Sequence, residues 1–576
     1  MLSLEELQTH LRGAVEILRE YGDPAEDRVL LCAWLWLKDI NDECEDRFRA
    51  ILHEETAAGR SEAEARNQAA DPDEYRFFLP AEAKWAALAE AEGHCAEKFV
   101  YACAALENRY AHLLAGIFGQ IRLATAVGTP QFSRWESLSR RLWEHFSKID
   151  LARRHLFSPE LIGAATAHML AEIAGNSTRK KPDFASPIEL MQMLAELLQP
   201  QPGMRICDPT CGAGGGLIAC AQYLEQRGHN PQNLSLYGQE VDPGTWALCK
   251  LNLLLHDLPD HQIWTGNAIT APLLNDAGQL LQFDLVLAHL PFSVADWGYA
   301  AATQDPWQRF ELGMPPQKRG DLAFVLHALN TLNEQGRAAL VVPHGVLFRG
   351  GAEGQIRRAL LQTEVDTIEA VISLPPGWLY DPRLPCAILV LNRAKATDRR
   401  GRVLFIDATA LHGSLFPDTG PAMQALAIAA IFHGGGDRER VADYMTDELE
   451  RRNAATESRQ LRLQEVWRHE KPGYALAEKE ARDQLRELAR MRAALQQWQS
   501  QPAALARCFA SATPDKIARS QHHYLTPAHY CVEHRAGLSL NVSQELQALQ
   551  TLAAECRQAE AEMDHLLREL EEFAHA

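Results

Sequence analysis

The rhythm of apolar positions along the chain changes twice. From residue 1 to about 170 they recur at helical spacing, with Leu4, Leu7 and Leu11 on one stripe and others from Trp34 to Leu37 and from Phe99 to Ile117. That is the pattern of helices with one buried face, and it predicts an all-α domain over 1–170. The stretch Asp71-Pro-Asp-Glu-Tyr-Arg-Phe-Phe-Leu-Pro80 interrupts it as a proline-bounded loop, read as a packing and partner-contact element. Over 171–410 short apolar runs alternate with helical stretches: 204–207, 234–240, 262–265, 283–288, 338–342, 368–374, 387–391 and 403–406. This alternation predicts an α/β fold with a doubly wound sheet. Over 411–576 the strand rhythm stops. Leu485, Leu488, Met491, Leu495 and Trp498 form one stripe, and Leu546, Leu549, Ala553, Cys556, Met563, Leu566, Leu570 and Phe573 another of near-heptad spacing. Long helices that dock a partner are expected there.

The chemistry concentrates at Asp208-Pro-Thr-Cys-Gly-Ala-Gly-Gly-Gly-Leu217, between the first apolar run and a helical stretch. Glycines in a strand-to-helix turn supply backbone angles that other residues resist, and they let a ligand approach the N–H groups. This is the ligand position of a doubly wound sheet. One glycine cluster is a weak signal, but the next run ends in Glu240, where a carboxylate can accept hydrogen bonds from ribose hydroxyls. A phosphate loop needs Lys-Ser or Lys-Thr after its glycines, and a dinucleotide fingerprint needs a third glycine where Leu217 stands. Neither a nucleoside triphosphate nor NAD is favoured.

Charge narrows the partners. The 576 residues carry a net charge of −19, which argues against a chain that grips DNA unaided, because phosphate neutralisation needs clustered Lys and Arg. The longest N-terminal apolar stretch, Val29 to Leu37, is too short to span a membrane. The chain opens on a capping box, Ser3-Leu-Glu-Glu6, and a cytoplasmic protein is expected. The 12 cysteines include no Cys-x-x-Cys pair, and they read as reduced core residues, not metal ligands. His522, His523 and His529 lack a Cys or acid at metal spacing, so no metal site is expected.

Asp-Pro-x-Cys-Gly-x-Gly-Gly followed by an acid-ended second strand resembles the S-adenosylmethionine site of DNA adenine-N6 methyltransferases. More closely, it is similar to the modification subunit of type I restriction-modification systems. The resemblance implies a Rossmann-like methyltransferase sheet over 171–410, flanked by the helical regions 1–170 and 411–576. It implies S-adenosylmethionine as cofactor, held by Phe184, Ser186, Asp208, Gly212, Ala213, Gly214, Gly215, Glu240 and Asn267. The family has Phe-Tyr-Thr-Pro where this chain has Phe184-Ala-Ser-Pro187, so Ala185 departs. Asn267 stands where the family has an Asp.

The larger departure lies in the reaction motif. In the family, Asn-Pro-Pro-Phe accepts hydrogen bonds from the amino group of a flipped adenine and stacks on the base. Here the residues are His289, Leu290, Pro291 and Phe292. A neutral imidazole can accept one hydrogen bond, and a leucine keeps its carbonyl but not proline's fixed φ. The resemblance implies methyl transfer to adenine N6, with double-stranded DNA reached mainly through a specificity subunit. A restriction subunit or a second methyltransferase subunit are further candidate partners. The alternative is an S-adenosylmethionine-binding, catalytically impaired scaffold or regulatory subunit of a DNA-defence complex. An unrelated small-molecule methyltransferase would not need long helical regions at both ends.

Overall fold

The computed structural model describes residues 2–89, 94–123, 132–156, 158, 160–176, 185–362, 364–409, 421–466, 471–500, 508–520 and 523–531. Phe184, His522 and the stripe from Leu546 to Phe573 lie outside the described residues.

Helix α1 (Leu4–Tyr21) begins on the expected capping box. Glu6 N donates to Ser3 Oγ at 3.2 Å and Ser3 N to Glu6 Oε2 at 2.9 Å, which satisfies two otherwise orphaned N–H groups. Helix α2 (Arg28–Ala57) is buried on all sides from Val29 to Asp42, because further helices enclose it. Trp34 stacks on Phe99 of α3 (Cys95–Arg109) with ring centroids 4.0 Å apart. Helices α4 (Phe132–Phe146) and α5 (Leu161–Gly175) complete this layer. Phe77 and Leu79 of the proline-bounded loop are buried, and Phe77 meets Trp36 edge-on at 5.4 Å. The loop therefore serves packing.

After α6 (Ile188–Leu198) the chain builds a nine-stranded sheet. Its first half runs β1 (Arg205–Asp208), α7 (Gly215–Glu225), β2 (Ser235–Glu240), α8 (Pro243–Leu255), β3 (His261–Thr265) and β4 (Phe283–His289). Its second half runs α9 (Asp321–Asn330), β5 (Leu332–Pro343), α10 (Ala352–Leu361), β6 (Ile368–Ser373), β7 (Cys386–Asn392) and β8 (Val403–Asp407). Strand β9 (Phe509–Ala512) is the last. The spatial order is β9-β8-β6-β7-β5-β4-β1-β2-β3. Neighbours are parallel except that β7 opposes β5 and β6, and β9 opposes β8. Strands β6, β7 and β8 are buried at every position, as continuous apolar runs covered on both faces should be. The chain leaves β1 toward β2 and β3, then crosses back to place β4 on the other side of β1. The gap between β1 and β4 is the topological switch point, where ligands of open α/β sheets bind.

Two expectations for the C-terminal part are corrected. The sheet does not end near 410: β9 pairs antiparallel with β8, with Leu404 opposite Ser511 and Phe405 opposite Ala510. Phe-Ala-Ser-Ala is too short and too weakly apolar to read as a strand beside helical stripes. The apolar stripe of the long helices is also not left free for a partner. Helices α11 (Pro421–His433), α12 (Arg438–Val466) and α13 (Lys471–Ser500) follow β8, and α12 and α13 pack on each other. Leu488, Met491 and Leu495 are buried in the same core as Val441, Met445 and Leu449 of α12.

Helix α14 (Pro527–Cys531) closes over this end of the sheet, and Tyr530 stacks on Phe405 with centroids 4.0 Å apart. Tyr530 is 4% exposed, so Tyr530→Ala should cost about 3 kcal/mol, read as a lower urea midpoint, while Tyr530→Phe, which keeps the ring and loses only the hydroxyl's bond to Tyr524 O, should cost about 1 kcal/mol. An unchanged midpoint for the alanine variant would mean that this segment adds nothing to the sheet.

Candidate active site

A cavity of about 980 Å³ opens at the switch point. Its wall starts where β1 ends. Asp208 is buried, and its Oδ1 accepts from Thr210 N at 3.0 Å. The turn beyond it needs glycine twice, since Gly212 has φ +53° and Gly214 φ +83°, angles costly for a residue with a Cβ. Three contacts hold the turn: Cys211 N donates to Gln239 O at 3.1 Å, Gly212 N to Glu240 Oε2 at 3.0 Å, and Asn252 Nδ2 to Ala213 O at 2.7 Å. Gly212, Ala213, Gly215 and Gly216 line the cavity. Gly214 does not; a Cβ there would sit 2.9 Å from Cys249 Sγ on α8, so this glycine permits close packing of turn and helix.

Glu240 closes the next side at the end of β2. Besides Gly212 N, its carboxylate accepts from Asp242 N at 2.9 Å, and burial raises its pKa. Two backbone donors fix its orientation, and lone pairs remain for a ligand's hydroxyls. Asn267 lines the cavity beyond β3, but its Oδ1 is already taken by Ile269 N at 2.8 Å and Thr270 N at 3.1 Å. The side chain is a local cap, and what it can offer a ligand is its amide N–H.

The fourth side is the segment after β4. His289, Leu290, Pro291 and Phe292 all line the cavity. Ser186 Oγ, just ahead of α6, lies 2.8 Å from His289 Nδ1, and the His289 ring meets Phe292 edge-on at 5.3 Å. Burial holds the imidazole pKa down to about 4, so it is neutral at physiological pH. Leu290 is 2% exposed and its N donates to Val341 O at 3.3 Å. The cavity thus brings together every site residue named from the sequence except Gly214, which faces α8, and Phe184, which is not described.

Several residues that shape this wall carry no sequence signal. Ser293, directly after Phe292, has φ +55° and donates N–H to Asp321 Oδ1 at 2.6 Å. Asp321 is 1% exposed and also accepts from Arg349 at 3.1 Å. Such a conformation costs about 1–3 kcal/mol, and the buried carboxylate offsets it. Gln239, 1% exposed, bonds Ala271 O and Leu273 N, and Arg309, 2% exposed, bonds Ala268 O and Ile269 O. Both hold the segment that carries Asn267. Arg28 of α2 donates to Thr245 Oγ1 at 2.8 Å, which brings the N-terminal helices to the cavity rim. Tyr380 lines the opposite wall with its hydroxyl buried and without a hydrogen-bond partner among the described residues. A second cavity of about 450 Å³ involves Arg337 and Asn392, at the other end of the parallel strands, where Arg399 is already bonded to Glu369 and two carbonyls.

An open doubly wound sheet, a glycine turn at its switch point and a carboxylate ending the second strand together form a cavity suited to a ligand that carries a ribose. Residues 158–422 match the N-6 DNA Methylase family. It is 28% identical over 256 residues to the type I restriction enzyme HindI methylase subunit of Haemophilus influenzae, covering 44% of this chain and 55% of that one. It is 31% identical over 305 residues to the MjaVIII methylase subunit of Methanocaldococcus jannaschii, covering 50% of each. The chain spans about half the length of these curated relatives. A solved methyltransferase subunit of a type I restriction-modification system from Streptococcus thermophilus shares its fold, with TM-score 0.62, 22% identity, and coverage of 75% of this chain and 93% of that one.

The buried acid at the end of β1 has a pH signature. Burial, reinforced by the Glu240 charge and opposed by the Thr210 hydrogen bond, pushes the Asp208 carboxyl up to about 8 from 3.8. Between these values the native state holds a proton that the unfolded chain has released, so this group's contribution to stability falls as pH rises from about 4 to about 8. Asp208→Asn should therefore raise the thermal midpoint over wild type more at pH 8 than at pH 5. An equal gain at both would show that Asp208 ionises normally.

Proposed function

We propose that the chain is the S-adenosylmethionine-dependent adenine-N6 methyltransferase subunit of a type I-like restriction-modification assembly. One observation carries the reading: the glycine turn, Glu240 and the His289–Phe292 segment line one cavity at the switch point. The residues fit the cofactor. The turn presents backbone at the start of α7, where no Cβ blocks approach, Glu240 offers acceptors to ribose hydroxyls, and the Asn267 amide is left for the adenine ring. S-adenosylmethionine, when bound, supplies a methyl group on a positively charged sulfur.

The chain's own residues then present the acceptor base. Phe292 offers a π-face on which an extruded base stacks. Pro291 fixes the backbone that presents it. Neutral His289 and the Leu290 carbonyl stand where the family motif accepts hydrogen bonds from the adenine amino group. Double-stranded DNA is reached mainly through a specificity subunit, because a chain of net charge −19 has little to hold phosphates with. A restriction subunit or second methyltransferase subunit completes the assembly. Helical parts before about 170 and after about 410 flank the catalytic sheet, which takes β9 from the C-terminal part.

His289 and Leu290 favour a second reading, a cofactor-binding scaffold whose catalysis is impaired. Loss of one preorganised hydrogen-bonding group costs about 10²- to 10³-fold in turnover, and two are altered. The double change His289→Asn with Leu290→Pro should raise adenine methylation by the reconstituted complex at least tenfold, with cofactor affinity unchanged, as measured by methyl transfer from labelled cofactor and by calorimetry. Rapid methylation by the wild type would sink the impaired reading. A restored motif that gains nothing would count against the adenine site itself.

A further inference from the structure

We infer that Asn267 turns a hydrogen-bond donor toward the purine of the cofactor, so that the site does not select for the purine's 6-amino group; this rests on S-adenosylmethionine as the proposed ligand of the cavity. Asn267 Oδ1 accepts from Ile269 N at 2.8 Å and from Thr270 N at 3.1 Å. Two N–H groups converging on one side-chain atom require an oxygen there, so the amide has only one workable orientation and its Nδ2 protons lie on the other side. Asn267 lines the cavity, and Nδ2 donates to nothing among the described residues.

The neighbouring backbone has the same polarity. The acceptors of 267–269 are engaged: Asn267 O takes Ala271 N at 2.8 Å, Ala268 O takes Arg309 Nη1 at 3.1 Å, and Ile269 O takes Arg309 Nη2 at 2.7 Å. Ala268 is 3% exposed and lines the cavity, yet its N–H has no partner among the described residues. A buried backbone N–H left unpaired is rare, so a ligand acceptor suits it. Two donors therefore remain at consecutive cavity-lining positions.

Glu240 is in register with Thr265 on the next strand, about 4.8 Å away, and Asn267 stands two residues further on. A purine whose ribose is held by Glu240 meets 267–268 with the edge farthest from its sugar, which carries N1 and the substituent on C6. Adenine shows an N–H donor at C6 beside the N1 acceptor. Ala268 N–H then matches N1, but Asn267 Nδ2–H meets the amine donor to donor. A 6-oxo purine shows a carbonyl beside N1–H, so the Asn267 contact matches and the Ala268 contact does not. Each base makes one match and one mismatch, and the site holds the two about equally well. An aspartate at 267 keeps the backbone cap through one oxygen and offers the other as acceptor. It gives adenine two matches and the 6-oxo base none.

The test is calorimetry of the full chain with S-adenosylhomocysteine, its 6-oxo counterpart S-inosylhomocysteine, and the counterpart with only hydrogen at C6. The three share ribose, amino-acid end and net charge, so their affinity ratios isolate the C6 position. Wild type should bind the 6-amino and 6-oxo forms within about threefold of each other, since one hydrogen bond is exchanged for another. The form with hydrogen at C6, which has no mismatch, should bind at least as tightly as either. Asn267→Asp should raise the preference for the 6-amino form about 10- to 100-fold, the worth of a hydrogen bond to a charged group. A wild-type preference for the 6-amino form above about tenfold, or a ratio unchanged in Asn267→Asp, would overturn the inference. Should the Asp variant fail to fold, the three wild-type affinities decide alone. Binding of none of the three would overturn S-adenosylmethionine as the ligand, and this inference with it. Binding that Glu240→Ala weakens equally for all three, but in the wrong ratios, would overturn this inference alone.

Discussion

The clamp on the turn after β1 is the constraint on which the site depends. Cys211, Gly212 and Ala213 are tied to Gln239, Glu240 and Asn252, so the glycine turn is held by β2 and α8 and not by its own sequence. Because Glu240 is one of the ties, the residue proposed to receive the ribose also sets the shape of the turn beside it. Gly214 extends the same logic, since its missing side chain lets α8 approach. Turn, second strand and second helix form one unit that can present N–H groups to a ligand with little rearrangement.

The opposite wall depends on buried polar groups. Asp321 holds Ser293 in a left-handed conformation directly behind Phe292, and Arg349 neutralises Asp321 in turn. Arg309 and Gln239 hold the segment that bears Asn267. Around the cavity itself, burial disfavours charge on Asp208, Glu240 and His289 alike. A positively charged ligand seated among them would favour the ionised forms of the Asp208 and Glu240 carboxylates.

The doubly wound sheet was legible because its strands are continuous apolar runs between helical stretches, and the glycine turn because its residue types are dictated by backbone geometry. Strand β9 was not legible. Phe-Ala-Ser-Ala carries no strand period of its own and forms only because the edge of β8 offers a ladder. Asp321, Arg309 and Gln239 were hidden for a related reason: their roles lie in tertiary contacts across tens of residues, where no local spacing marks them. Asn267 and Ser186 were found but with incomplete roles. The sequence places each near the cofactor, whereas their hydrogen bonds go to Thr270 and Ile269 backbone and to His289.

The central claim is that the switch-point cavity binds S-adenosylmethionine through the glycine turn and Glu240. Its most direct test is a crystal structure of the full chain with S-adenosylhomocysteine. The account predicts ribose hydroxyls on the Glu240 carboxylate, the amino-acid end against Gly212 to Gly215, and the thioether sulfur facing the His289–Phe292 segment. Ligand bound elsewhere, or a cavity left empty at saturating concentration, would contradict it.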